Sequence, residues 1–329
     1  MVPEIILFTI ALLLSYFITK KIIEASRGRK LLGKDMHKPN KPLVAEFGGL
    51  GFSLGFILSA FISIGLFVLL KYPDMAISEA LYTTSFVIAI ATTLGLMSDL
   101  FKFKWGTNAI LPAMNALPLV GYAMYDNMTI ISTPFGSIQL GPVGYLLALL
   151  LGATGSANAI NMIAGYNGLE AGMTLIIVAT LSAMAFVSGN IPVVIIGLLG
   201  IGALLGFLYW NKYPAKVFPG DVGTWSFGSL IFVMAVLGKL EFWAVLLFAL
   251  YFVNLAMMGV HLAKKGKKRK FAKVTKRGIL KSDVPTYTLY FWLINKFKLS
   301  EKGIIIVMYL LQAIVSIIVL AISVFTGGI

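Results

Sequence analysis

Ile191-Pro-Val-Val-Ile-Ile-Gly-Leu-Leu-Gly-Ile-Gly-Ala-Leu-Leu-Gly-Phe-Leu-Tyr-Trp210 runs for twenty residues without a charged side chain. Wound into an α-helix at about 1.5 Å per residue it reaches about 30 Å, the depth of a bilayer's hydrocarbon core. Nine further apolar runs lie at about 5–19, 47–70, 77–97, 109–124, 143–163, 171–188, 224–237, 242–262 and 303–325. With 59% hydrophobic and 12% charged residues among 329, the chain holds more apolar surface than a water-soluble globule can enclose. The pattern predicts an all-α polytopic membrane protein of about ten transmembrane helices, one integral-membrane domain over 1–329 with no separate soluble domain.

Charge sets the expected orientation. Of the 27 Lys and Arg, 25 fall in the five connections that follow odd-numbered runs, Lys71 and Lys239 being the exceptions. Short loops rich in Lys and Arg stay on the cytoplasmic side, so these five connections are expected inside a cytoplasmic membrane and both termini outside. The net charge of +14 then reads as a topology signal and as an attraction for anionic headgroups or phosphates, and implies no nucleic-acid partner. The first run lacks a basic leader and a clear small-residue cleavage site and is read as a retained helix. The chain has no cysteine, which excludes disulfides, thiolate metal ligands and a cysteine nucleophile.

The chemically special residues gather on those same five connections. The first reads Asp35-Met-His37-Lys38-Pro39-Asn40-Lys41-Pro42-Leu-Val-Ala-Glu46-Phe-Gly48-Gly49. Its prolines restrict the backbone, its glycine pair admits a close neighbour, and Glu46 stands at a helix start where an anion is favoured; the plainer reading is a basic juxtamembrane turn. The second holds Ser98-Asp99 followed by Lys102, Lys104 and Trp105, either a polar site or an interfacial ion pair beside an aromatic anchor. In the third, Asn158 and Asn161 share a helix face and precede Gly165-Tyr-Asn167-Gly168-Leu-Glu170. Neutral amides there can line a polar cavity or join two helices, and a connection without any basic residue favours the cavity. The fourth, Val217-Phe218-Pro219-Gly220-Asp221-Val222-Gly223-Thr224, puts a carboxylate at a predicted helix start, as an N-cap or as a ligand for a cation shared with phosphate oxygens. The fifth, 262–302, has a basic run at 264–270 just after His261, suited to anionic lipid or to a substrate phosphate. It ends in an aromatic amphipathic stretch, 287–297, expected in the membrane interface with Tyr290, Phe291, Trp292 and Phe297.

Three of these segments, in this order, resemble the polyprenyl-phosphate N-acetylhexosamine-1-phosphate transferases of glycosyltransferase family 4 type. They are His37-Lys-Pro-x-Lys-Pro-x-Val-Ala-Glu46-x-Gly-Gly, Asn158-Ala-Ile-Asn161 through Gly165-Tyr-Asn167-Gly-Leu-Glu170-Ala-Gly, and Val217-Phe-x-Gly-Asp221-x-Gly. The likeness is stronger to the archaeal and eukaryotic UDP-N-acetylglucosamine:dolichyl-phosphate branch than to the bacterial translocase of peptidoglycan synthesis. It implies a ten-helix fold with a cytoplasmic active site. The implied reaction is transfer of a sugar 1-phosphate, N-acetylglucosamine 1-phosphate first among candidates, from a UDP-sugar to a polyprenyl or dolichyl phosphate, releasing UMP. It further implies Mg²⁺, with Mn²⁺ as an alternative, held by Asp221 and Asn161, and allows a homodimer for which the sequence identifies no interface.

By the same resemblance Asp99 and Asp221 are the expected catalytic acids. Glu46, Asn167 and Gly168 line the sugar-nucleotide pocket, and Lys38, Lys41, Lys102, Lys104, Asn158, Glu170 and His261 complete the expected substrate-binding set. The chain departs from the pattern at Ser98, where relatives carry a second aspartate, and at Asn108, where they carry a lysine. Lys102 replaces a common asparagine, and the His-Arg-Pro-Arg type signature does not follow His261. These departures motivate a rival reading, a non-catalytic paralogue that binds nucleotide sugar or lipid phosphate without turnover. A transporter is a third reading, disfavoured because the polar groups cluster at one face.

Overall fold

The computed structural model describes residues 2–71, 74–126, 128–264 and 271–328; most of the basic run, residues 265–270, lies outside them. In chain order the elements are α1 (Val2–Gly28), β1 (Leu32–Lys34), β2 (Leu43–Ala45), α2 (Gly49–Leu69), α3 (Met75–Phe101), α4 (Trp105–Ile110), a 3₁₀ segment (Leu111–Ala116) and α5 (Leu117–Tyr125). There follow β3 (Ile130–Thr133), β4 (Gly136–Gln139), α6 (Gly141–Ile163), α7 (Leu169–Val187), α8 (Ile191–Asn211) and α9 (Gly220–Leu237). The last are α10 (Glu241–Leu247), α11 (Ala249–Ala263), β5 (Lys273–Val274), β6 (Leu280–Lys281), α12 (Leu289–Phe297) and α13 (Glu301–Phe325). The strands form three short antiparallel hairpins, small additions to an all-α, multi-pass membrane fold.

Among the described residues eight helices are each long and apolar enough to cross a membrane, and α10 with α11, bent by 57° where they join, is long and apolar enough only as a pair. The run expected at 109–124 differs: it is three joined pieces, α4, the 3₁₀ segment and α5. Pro112 and Pro118 stand in the first turns of the second and third pieces, and proline removes a backbone donor and clashes with the preceding turn. Connectivity still makes this segment run the length of the bundle. The C-terminal ends of α3 and α6 both touch Asp221 through Ser98 and Asn161, so the chain between them must leave that end and return. The broken segment is the outward pass, the β3–β4 hairpin the turn, and α6 the way back. By the same tracing the start of α1 and the end of α13 lie away from Asp221, and Trp243 Nε1 at the start of α10 donates to Gly328 O at 3.0 Å.

Helix α9 is the axis of the bundle, with every residue from Val222 to Leu237 buried. Small residues let neighbours reach its backbone: Gly223 lies against Gly49 of α2, and Gly228 against Ala157 of α6, so closely that a Cβ would have no room. Hydroxyl and amide side chains then tie helices together, Ser53 Oγ and Thr92 Oγ1 meeting Ser226 Oγ at 3.0 and 3.1 Å and Asn115 Nδ2 donating to Ser229 Oγ at 3.0 Å. Helix α1 outruns its expected boundary at 19, because Lys20, Lys21, Glu24 and Arg27 can continue a helix beyond the apolar layer. In α12, Tyr290 and Phe291 are buried while Trp292 and Phe297 stay exposed, so only half of the expected interfacial aromatic set faces outward.

Single cysteines placed in this cysteine-free chain test the tracing. Ser137→Cys, in the β3–β4 hairpin, and Lys276→Cys, between β5 and β6, are exposed at opposite ends of the bundle. A membrane-impermeant maleimide applied to sealed vesicles of one orientation is expected to label one and spare the other until the membrane is opened. Labelling of both in intact vesicles contradicts the fold.

Candidate active site

Asp221 is brought into place by the way α9 begins. Pro219, in the N-cap position, offers no side-chain acceptor, so the first N–H groups of the helix need one from elsewhere. Asp99, in the last turn of α3, supplies it: Oδ1 accepts from Asp221 N and Oδ2 from Val222 N, both at 3.1 Å. An anion at this end is also favoured by the helix dipole. Gly220 makes the approach possible, since its φ of 70° suits glycine and a Cβ there would collide with Asp99 Oδ2. With both oxygens engaged, Asp99 is a cap supplied by a neighbouring helix.

The Asp221 side chain is held by three neutral donors from three elements. Ser98 Oγ donates to Oδ2 at 2.6 Å, Asn161 Nδ2 to Oδ1 at 2.7 Å, and Asn108 Nδ2 reaches Oδ2 at 3.4 Å. Asn108 Oδ1, beside them, is buried without a hydrogen-bond partner. Lys102 and Lys104 are exposed close by in the chain, Lys102 ending α3 in a left-handed conformation.

Lys38, expected as a free cation for substrate, is the centre of a second, buried network. Its Nζ meets Asp35 Oδ2 at 2.8 Å, Glu301 Oε2 at 2.5 Å and Asn167 Oδ1 at 2.8 Å, which occupies all three of its donors. Asn167 Oδ1 also accepts from Ala215 N at 2.9 Å, and Asn167 N donates to Glu301 Oε1 at 3.0 Å. Lys38 and Asn167 therefore bind four chain segments together. Sequence reading missed Glu301, although an acidic residue opening the most apolar helix was a signal of the kind that singled out Asp99. His37 stacks on Tyr166 at 4.5 Å, and its Nδ1–H donates to Gly165 O at 2.8 Å. Burial pushes its imidazole down to about 4, so the ring is neutral at pH 7.

The other expected residues divide between surface and scaffold. The Glu46 carboxylate and the Phe218 ring both lie over Gly33, where a Cβ would meet Glu46 Oε1 at 2.7 Å and Phe218 Cδ2 at 3.3 Å. Lys41 is exposed and opens, with Phe271 and Lys273, on a cavity of about 550 Å³. Gly168 adopts φ 85° before α7, and its carbonyl accepts from Tyr309. Glu170 is buried and closes its own loop, Oε1 accepting from Gly165 N at 2.8 Å. Asn158 gives its amide to Ala109 O at 3.0 Å and Thr154 O at 2.9 Å, so it serves to join α6 to the broken segment. His261, in the last turn of α11, faces the last loop, with Thr286 Oγ1 at 3.3 Å from its Nδ1 and the Tyr287 ring at 5.3 Å.

A cavity of about 570 Å³ lies between α6, α9, α10 and α11, lined by apolar residues such as Gly152, Met162, Phe232 and Phe248. Asn158 and Met162 line it, while Asn161, on the intervening turn of α6, touches Asp221. The apolar cavity follows α6 from Tyr145 to Met162 and thus reaches the helix end that touches Asp221.

A family model for glycosyl transferase family 4 matches residues 81–239. A Saccharolobus solfataricus protein, provisionally named UDP-N-acetylglucosamine–dolichyl-phosphate N-acetylglucosaminephosphotransferase, is 31% identical over 94% of this chain and 93% of its own. The chain belongs to glycosyl transferase family 4. A Sulfolobus acidocaldarius protein of the same provisional name is 32% identical over 91% of this chain and 90% of its own. A phospho-N-acetylmuramoyl-pentapeptide-transferase of Streptococcus mutans is 29% identical over 74% of this chain and 75% of its own.

Whether the family's expected Mg²⁺ suits these residues is a question of donors. Among the described residues no three His, Cys, Asp or Glu cluster as a metal site. A hard cation can nevertheless be held by one or two carboxylates with water and substrate phosphate. The Asp221 carboxylate lies beside Ser98 Oγ and the amides of Asn108, whose Oδ1 is unpartnered, and Asn161, whose Nδ2 faces it and whose oxygen would join the set if the amide turned over. The donor set fits.

Two outcomes follow from this geometry. Asp99→Asn turns one capping oxygen into an N–H₂ facing a backbone donor, and is expected to cost about 1–3 kcal/mol of stability with or without Mg²⁺, read as a lower Tm in detergent. His37 has a folded value below the ordinary 6.5, so the unfolded chain takes up its proton first. Stability should therefore fall as pH drops from about 6.5 toward about 4, and a His37→Asn variant should lose that part of the pH profile of Tm.

Proposed function

We propose that this chain transfers N-acetylglucosamine 1-phosphate from UDP-N-acetylglucosamine to a polyprenyl or dolichyl phosphate at the cytoplasmic face of the membrane, releasing UMP. The observation that carries the reading is the junction of the Asp221 cluster with the apolar cavity on one end of α6. A reaction between a water-soluble donor and a membrane-bound acceptor needs both surfaces at one point. The full-length likeness to relatives named for this reaction supports the choice of substrates, and the positive-inside distribution of Lys and Arg supports the cytoplasmic placement.

In the reaction an oxygen of the lipid phosphate attacks the β-phosphorus of the UDP-sugar. The bond to the UMP oxygen breaks, and a polyprenyl-diphosphate sugar remains. A phosphate monoester has a second pKa near ~6 and reaches the site mostly as a dianion, so little proton removal is asked of the protein. This agrees with Asp99, whose oxygens are committed to α9. Mg²⁺, when bound through Asp221 and Asn161, would neutralise charge on the diphosphate. Ser98 and Asn108 hold the Asp221 carboxylate in one orientation. Exposed Lys102 and Lys104 offer a positive field at the mouth, and the apolar cavity receives the prenyl chain.

Purified protein in detergent is expected to release UMP from UDP-N-acetylglucosamine only when polyprenyl phosphate and Mg²⁺ are both present. Asp221→Asn should lower turnover about a hundredfold or more while the protein still folds. Unchanged turnover in that variant removes Asp221 from the metal assignment. UDP-sugar binding without UMP release by the wild type, alongside an active relative, would falsify the transferase.

A further inference from the structure

The bent helix α10–α11 breaks at Leu247-Phe248-Ala249, where the sequence has neither proline nor glycine. Sharp bends otherwise come from a π-bulge, of which there is none here, or from a side chain or water inserted into the hydrogen-bond ladder. Tyr251 N–H, which an unbroken α-helix would direct to Leu247 O, donates instead to Phe248 O at 2.9 Å. Leu247 O is left without its helical donor, and Gln312 Nε2 of α13 donates to it at 3.1 Å.

Gln312 is completely buried within an apolar helix, and its Oε1 has no hydrogen-bond partner. Burying half-satisfied amide groups is unfavourable, so the residue weakens α13 taken by itself. Its use lies across the interface, at the bend. Both arms of the bend wall the apolar cavity: Ala244 and Val245 lie before it, Phe248, Phe252 and Leu255 at or after it. A straighter helix would swing one arm relative to the other and change the cavity's shape.

We propose that Gln312 is a positioning residue for the lipid acceptor: by holding the freed Leu247 carbonyl it keeps α10–α11 bent, and the bend sets the shape of the cavity that takes the prenyl chain. This rests on the transferase reading above. Gln312 is set apart from the Asp221 cluster, so its effect should fall on the acceptor and spare the nucleotide sugar.

The test compares wild type, Gln312→Leu and Gln312→Glu by UMP release, with a long polyprenyl phosphate and with geranyl phosphate, alongside Tm. A glutamic acid, in its neutral form, keeps an O–H that can donate to Leu247 O. Gln312→Leu is expected to raise KM for the long acceptor about tenfold. KM for UDP-N-acetylglucosamine should stay within about twofold, the effect should shrink with geranyl phosphate, and Gln312→Glu should restore most of the loss. An unchanged long-acceptor KM in folded Gln312→Leu overturns the proposal, as does an equal loss for donor and both acceptors. A wild type that transfers to neither acceptor overturns the transferase reading, and this inference with it.

Discussion

One carboxylate from α3 and two backbone N–H groups at the start of α9 decide where the rest of the site can lie. Helix α9 is buried along nearly its whole length, so its first turn has little water to satisfy its free donors, and an unmet donor there is costly. Asp99 meets two of them at once. That contact fixes how far α9 projects beyond α3, and thereby the height at which Asp221 stands. It also explains the glycines on either side of Asp221. Gly220 must leave space for Asp99, and Gly223 for the backbone of α2. The loop before α9 is stitched to the first connection by Phe218 N to Ala45 O and Gly48 N to Phe218 O, both 2.8 Å, so Glu46 and Phe218 inherit their positions from the same contact.

Charge is managed differently in the two networks that flank this point. Around Lys38 one cation answers two carboxylates in a nearly dry setting, an arrangement that is costly to break once built because removing a partner strands a buried charge. Around Asp221 all three side-chain donors are neutral. A second aspartate at position 98 would set two anions side by side and call for a cation to relieve them. Ser98 instead gives Asp221 a hydrogen bond of 2.6 Å, so the carboxylate can keep its orientation before any cation arrives. The departure from the family pattern thus removes a charge without leaving Asp221 unsupported.

The sequence made the membrane class legible because a crossing needs only length and apolarity, both local properties. The charge pattern gathered the connections that hold Asp99, Asn161 and Asp221 on one side, and the family resemblance singled out those three residues within them. What the sequence could not show were pairings between distant segments. Lys38 reads as a cation ready for phosphate until folding brings Glu301, 263 residues away, onto its ammonium. Asn158, read as lining a cavity or joining two helices, does both, and only the break in 105–125 exposes the Ala109 carbonyl that it takes. Ser98 was legible as a missing acid, while its hydroxyl bond to Asp221 depends on how α3 lies against α9. Tyr290 and Phe291 have the composition of an interfacial belt, yet α12 packs them inward against its neighbours.

The division of labour along α6 follows from these facts. Successive residues on its last turns face different surroundings, because a helix rotates by about 100° per residue. Asn161 faces the Asp221 carboxylate, Asn158 the broken segment and Met162 the apolar cavity. One rigid element thereby ties the polar cluster to the greasy chamber, and displacing α6 would disturb both together. At the bend of α10–α11 the hold is a single hydrogen bond, from the Gln312 amide to the Leu247 carbonyl, which does not involve Asp221. On the transferase reading, changes at Gln312 and along the bent helix would alter the lipid chamber while Asp99 still fixes the start of α9.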